Sequence, residues 1–129
     1  CLIHDLGECF TGDIPTFDKT EADEQREEQL LQAWVEQLPS PFREEMSALY
    51  QEMEARETVE AKIYKALDNL EAVIQHNEAD IFTWADHEYE LQRTYGMDKV
   101  QFSEYMKALR QEVLEETEEK IEKHKNEQA

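Results

Sequence analysis

Apolar residues return along this chain at intervals of three and four, the spacing that collects them on one side of an α-helix. In the opening stretch, roughly Cys1 to Thr11, they fall at positions 2, 3, 6 and 10, and Gly12 stands where a left-handed cap is expected. Asp13 to Lys19, with Ile14, Pro15 and Phe17, predicts a structured connection. Thr20 suits the cap of a second helix, with Glu21 and Asp23 in its first turn and Leu30, Leu31, Trp34, Val35 and Leu38 as its buried stripe. Pro39 and Pro41 end that helix. Pro41 also opens a third, which runs to about Arg56 on Phe42, Met46, Leu49, Tyr50 and Met53.

A fourth helix starts at Thr58, with apolar positions at 59, 63, 66, 67, 70, 73 and 74, and ends near His76 to Asp80. Ile81 to Tyr95 predicts a shorter amphipathic piece closed by Gly96. The last helix, about Gln101 to Lys123, rests on Phe102, Tyr105, Met106, Leu109, Val113 and Leu114, and its tail beyond His124 is expected to fray. No internal repeat and no long run of heptads is present. The expected fold is all-α, a compact bundle of about six helices in one domain spanning residues 1–129.

Composition agrees with this pattern. The 129 residues are 40% hydrophobic, enough for one core, and only 3 Gly and 3 Pro interrupt them. A formal charge of −19, from 32 acidic and 13 basic residues, repels polyanions, so a nucleic acid polymer is excluded as partner. Much of the acid lies in Glu21 to Glu28 and Glu115 to Glu122, which read as solvated helix faces.

Cys1 and Cys9 are too far apart on one helix to form a bridge, which suits a reducing cytoplasm. No run has the apolar length of a membrane span, and no signal peptide is recognisable. The chain opens inside an apolar pattern with no cap before it, so further native residues are expected to precede Cys1.

Candidate chemistry gathers near the start. Spacings of four and seven put His4, Glu8 and Thr11 on one face of the first helix with Asp5 on its shoulder, leaving Leu2, Ile3, Leu6 and Phe10 for the core. Asp13 follows the turn at Gly12. Farther along, Asp68 interrupts an apolar run at 66, 67 and 70, where a carboxylate is costly unless paired. A metal ion could compensate it, and so could Lys65 or Lys62 on the same helix.

The run His4-Asp5-Leu-Gly-Glu8-Cys-Phe-Thr11-Gly-Asp13-Ile-Pro resembles the signature of HD-domain phosphohydrolases, and more closely that of their 5'-deoxynucleotidase branch. Glu60-Ala-Lys-Ile-Tyr-Lys-Ala-Leu-Asp68-Asn-Leu-Glu71 is similar to that family's later helix. The resemblance covers Cys1 to about Asp80. It implies a ligand set of an early histidine, the His-Asp pair and a distant aspartate. Three of these have counterparts in His4, Asp5 and Asp68. The early histidine, with a basic and an aromatic residue that grip phosphate and base, is expected upstream of Cys1.

The resemblance further implies a metal-dependent phosphohydrolase that converts nucleoside 5'-monophosphates, deoxyribonucleotides first, to nucleoside and phosphate. Mixed imidazole and carboxylate ligands suit a divalent ion such as manganese, cobalt, zinc, nickel, iron or magnesium. Glu8 is the candidate for orienting water or protonating the leaving 5'-oxygen. Thr11 and Asp13 are the candidates for holding the phosphate or sugar. Alternatives are another small-nucleotide hydrolase of the superfamily and a non-catalytic acidic module that binds a protein, with Met46 to Met53 as its surface or as ordinary core. Members of the branch are commonly dimeric, and the cluster Phe82, Trp84, Tyr89 and Tyr95 reads as a homodimer interface or as core.

Overall fold

A computed structural model describes residues Leu2–Ala129. Cys1 lies outside the described residues, and the expectation about a Cys1–Cys9 pair lies there with it; Cys9 is exposed and free. The order of elements is α1 (Glu8–Thr11), α2 (Glu21–Glu36), α3 (Phe42–Ala55), α4 (Val59–Glu78), α5 (Glu88–Thr94) and α6 (Glu104–Gln128), with 3-10 turns at Ile81–Thr83 and Met97–Val100. No strand occurs among the described residues, so the all-α fold stands. Among the described residues no helix is long and apolar enough to cross a membrane. The chain divides into two compact units, Cys1–Ala61 and Lys62–Ala129.

In the first unit α2 begins where the sequence places it. The Thr20 hydroxyl accepts from the Asp23 amide at 3.2 Å, and the Asp23 carboxylate accepts from the Thr20 amide at 3.0 Å, so two end donors are satisfied reciprocally. Replacing Thr20 with alanine should cost about 1 kcal/mol of stability, read from urea unfolding. The hydrogen bond from the Thr20 amide, then that from its hydroxyl, lowers the Asp23 pKa. Its folded value is depressed, so the contribution is complete above the ordinary value of about 3.9 and is lost as pH falls through the depressed one. The stability gap between the protein and Thr20→Ala should therefore narrow below about pH 4; a constant gap would count against this sign.

The predicted stripe of α2 is only partly buried: Val35 is, Leu31 and Leu38 are half-buried, and Leu30 and Trp34 are exposed. Pro41 precedes α3 as its N-cap, one residue earlier than the first-turn place expected for it, and Arg56 closes the helix in the left-handed region. Met46, Tyr50 and Met53 are half-buried, while Phe42 and Leu49 are exposed. The Tyr50 hydroxyl donates to the Ile3 carbonyl at 2.7 Å and ties α3 to the opening turn.

In the second unit Ala66, Leu70 and Val73 of α4 pack with Val100 and with Met106 and Val113 of α6, and Ile63 and Ile74 flank them. Val59 and Leu67, also on the predicted stripe, are exposed. The piece predicted over Ile81 to Tyr95 is two short elements. Asp80 caps the first, the Trp84 indole donates to the His76 carbonyl at 3.1 Å, and Glu88 accepts from the Ala85 amide at 3.1 Å to start α5. These side-chain bonds capture backbone groups that a continuous helix would use. Gly96 closes the piece as expected, with φ +78.

The last helix begins later and ends later than predicted. Ser103 caps it, and it runs to Gln128 instead of fraying after His124. Ile121 is buried against Ile81 and Trp84, which anchors the final turns, and the Glu, Lys and Gln that follow favour helix. Trp84 thus belongs to the core with Tyr89 half-buried against it, and Tyr95 packs against the other cluster, whereas Phe82 is exposed and meets His124 edge-on.

Candidate metal centre

The segment that carries most of the candidate chemistry is not a continuous helix. Residues 2–7 form turns, and only Glu8–Thr11 is α-helical. The Leu6, Glu8, Cys9 and Phe10 amides each donate to the carbonyl three residues back, at 3.0 to 3.3 Å. Such winding eclipses residues three apart. Asp5, expected on the shoulder of the helix, therefore shares an edge with Glu8. The residues explain this: His, Asp, Gly, Cys and Thr are weak helix formers, and no side chain caps the segment. Of its predicted core face, Ile3 and Leu6 are half-buried, but Leu2 and Phe10 are exposed.

Gly7 decides the geometry of this turn. It is buried, and a Cβ there would stand 2.5 Å from Cγ of Glu27 on α2. The Glu27 carboxylate takes a 3.0 Å ion pair from Lys19 at the end of the connection. Gly12 ends α1 with φ +83 and ψ 168, a region that essentially only glycine adopts, and its amide donates to the Glu8 carbonyl at 2.7 Å.

His4 and Asp5 meet: Nε2 lies 3.1 Å from Oδ2, with the imidazole 25% and the carboxylate 58% exposed. Two ligands at about 2.1 Å from one ion, at tetrahedral or octahedral angles, stand about 3.0 to 3.4 Å apart. The pair fits adjacent corners of a coordination shell, and its nitrogen and oxygen donors suit a borderline divalent metal. The same separation serves an ion pair when the ring is protonated.

The Glu8 carboxyl is pushed above its ordinary pKa, first by burial and then by the charges of Asp5, Asp13 and Glu27, with Lys19 pulling the other way. Asp13 is exposed in the connection, and the Thr11 hydroxyl donates to the Gly12 carbonyl at 3.3 Å. Asp68 lies in the second unit on α4, a third exposed, with Lys65 at 3.5 Å. The local lysine partner expected for it is thus observed, at a length that makes a weak bond. Lys19, Glu27 and Gly7 do not stand out in the sequence as residues of a site. Lys19 is the first Lys or Arg in the chain, and that isolation was the available sign.

Comparison with known proteins places this geometry in a context. The 5'-deoxynucleotidase HDDC2 of Homo sapiens is 37% identical over 79 residues, which are 60% of this chain and 39% of that protein. The Danio rerio protein of the same name is 39% identical over 79 residues, 60% of this chain and 40% of its own length. The Xenopus laevis protein is 34% identical over 76 residues, 57% of this chain and 38% of its own. The chain thus spans about two fifths of the length of the curated relatives it matches. No solved structure matches it. The model of the HD domain family matches residues 1–110, the His4–Asp5 pair and the helix of Asp68 included, and by that match the chain belongs to the HD domain family.

Proposed function

We propose that this chain is a single helical domain of a metal-dependent phosphohydrolase that cleaves deoxyribonucleoside 5'-monophosphates to deoxynucleoside and phosphate. The observation that carries the reading is the His4–Asp5 contact at 3.1 Å, inside a family match and beside relatives named 5'-deoxynucleotidases. His4, Asp5 and Asp68 would hold a divalent ion of the manganese, cobalt, zinc, nickel, iron or magnesium type. Such an ion supplies, when bound, a lowered water pKa and neutralisation of phosphoryl oxygens.

The remaining chemistry belongs to side chains. Glu8, kept protonated to higher pH by burial and by Asp5, is suited to give its proton to the leaving 5'-oxygen, the poor leaving group of a phosphate monoester. Thr11 and Asp13 are assigned to the phosphate or sugar, with Asp13 toward the deoxyribose, where a carboxylate disfavours a crowded 2'-hydroxyl. The charge of −19 slows an anionic substrate at long range, but beyond about 8 Å it is screened at physiological salt. The reading includes a cytoplasmic location and a homodimer.

A phosphate-release panel tests it. With added manganese, cobalt or magnesium, deoxyribonucleoside 5'-monophosphates should be hydrolysed in preference to ribonucleotides, and chelator should stop the reaction. Turnover confined to ribonucleotides or cyclic nucleotides would shift the assignment to another branch of the superfamily. A protein that retains no transition metal by elemental analysis and hydrolyses nothing would instead be a helical binding module.

A further inference from the structure

We propose that Lys19 and Glu27 are a positioning pair for Glu8, holding the turn that presents it; the inference rests on the nucleotidase reading of the site. Glu27 Cγ lies against Gly7 so closely that only glycine fits, and Gly7 immediately precedes Glu8. One carboxylate oxygen of Glu27 is buried without a hydrogen-bond partner among the described residues, and the other accepts from Lys19 Nζ at 3.0 Å. Both side chains are about four-fifths buried, at 20% and 19% exposure. A carboxylate so placed depends on its cation, since an unpaired charge out of water drives its own side chain back toward solvent.

The pair joins three pieces of chain at one point. Lys19 ends the connection after Gly12, Glu27 sits in the second turn of α2, and Gly7 is the hinge of a segment wound by bonds between residues three apart. That segment has no side-chain cap of its own. Its order must come from what packs on it, and Glu27 packs on its glycine. Lys19 and Glu27 also lie near enough to Glu8 to act on its charge, one with each sign. Without Lys19, Glu27 would swing outward, the contact at Gly7 would open, and Glu8 would lose the placement that proton transfer demands.

The test compares Lys19→Met and Lys19→Arg in the full chain, by hydrogen exchange and by kinetics. In Lys19→Met the amides of Glu8, Cys9, Phe10 and Gly12 should exchange about fivefold faster while those of α6 keep their rates. With deoxynucleotide substrate its kcat should fall about tenfold to a hundredfold and KM should stay within about twofold. Lys19→Arg should restore both. Wild-type exchange in Lys19→Met, or a fall in kcat that Lys19→Arg does not rescue, overturns the positioning pair and leaves the nucleotidase reading standing if the unaltered protein is active. If the unaltered protein hydrolyses no nucleotide, the nucleotidase reading fails, and unchanged exchange would then remove the pair as well.

Discussion

Replacing His4 with alanine is expected to lower kcat/KM for a deoxyribonucleoside 5'-monophosphate by about a thousandfold, which corresponds to about 4 kcal/mol of transition-state stabilisation. The imidazole lies on a turn outside the hydrophobic clusters, so the unfolding midpoint should respond far less than the activity. What it removes is the nitrogen donor of the pair, leaving Asp5 without the neighbour at 3.1 Å. Metal content by elemental analysis should fall together with phosphate release. Retained turnover with undiminished metal would take His4 out of the site, and the proposed ligand set with it.

Replacing Arg110 with alanine should destabilise the protein by about 3 kcal/mol. Arg110 is 1% exposed in the second unit, yet among the described residues no carboxylate forms a salt bridge with it; its Nε donates to the Tyr95 carbonyl at 3.1 Å and its Nη2 to the Gln92 carbonyl at 3.0 Å. Those carbonyls belong to the end of α5, the negative end of its dipole, and supply partial compensation. Burial lowers the guanidinium pKa, but an arginine stays charged at any pH where the fold exists. The alanine variant deprives the Gln92 and Tyr95 carbonyls of these donors and empties the volume of a side chain that is 1% exposed. Lysine should recover only part of the loss, since a single ammonium lacks the fork that reaches both carbonyls. Urea unfolding reads the effect, and a loss below about 1 kcal/mol would show that water or a shifted neighbour replaces the guanidinium.

Arg110 was invisible in the sequence because a cation in the middle of a charged helix reads as solvated surface. Gln92, Asn77 and Thr117 were hidden for the same reason. The Gln92 amide donates to the Val73 carbonyl at 2.6 Å and to Asn77 at 2.9 Å, and the Thr117 hydroxyl donates to Asn77 or to the Val113 carbonyl. Each is polar by composition and interior by its bonds, and a hydrogen bond between residues 40 apart has no local signature. The acidic runs, in contrast, are mostly exposed faces, as their composition implies, although Glu27 within one of them is turned inward to Gly7 and Lys19.

Local physics determined most of the helices. Thr20 with Asp23, Thr58 ahead of α4, the apolar return at 63, 66, 70, 73 and 74, and Gly96 at a positive φ act within a few residues, so a reader of the chain sees what the backbone responds to. The motif of His4, Asp5 and Glu8 was likewise present as letters, and the family match supports reading it so. Tertiary contacts decided the rest. Which of Leu30 and Val35 is covered is a matter of what packs on α2; the last turns of α6 are anchored where Ile121 meets Trp84, and the opening segment is fixed where Glu27 meets Gly7. The competing local windings differ by small free energies, and a single long-range packing contact is large enough to choose between them.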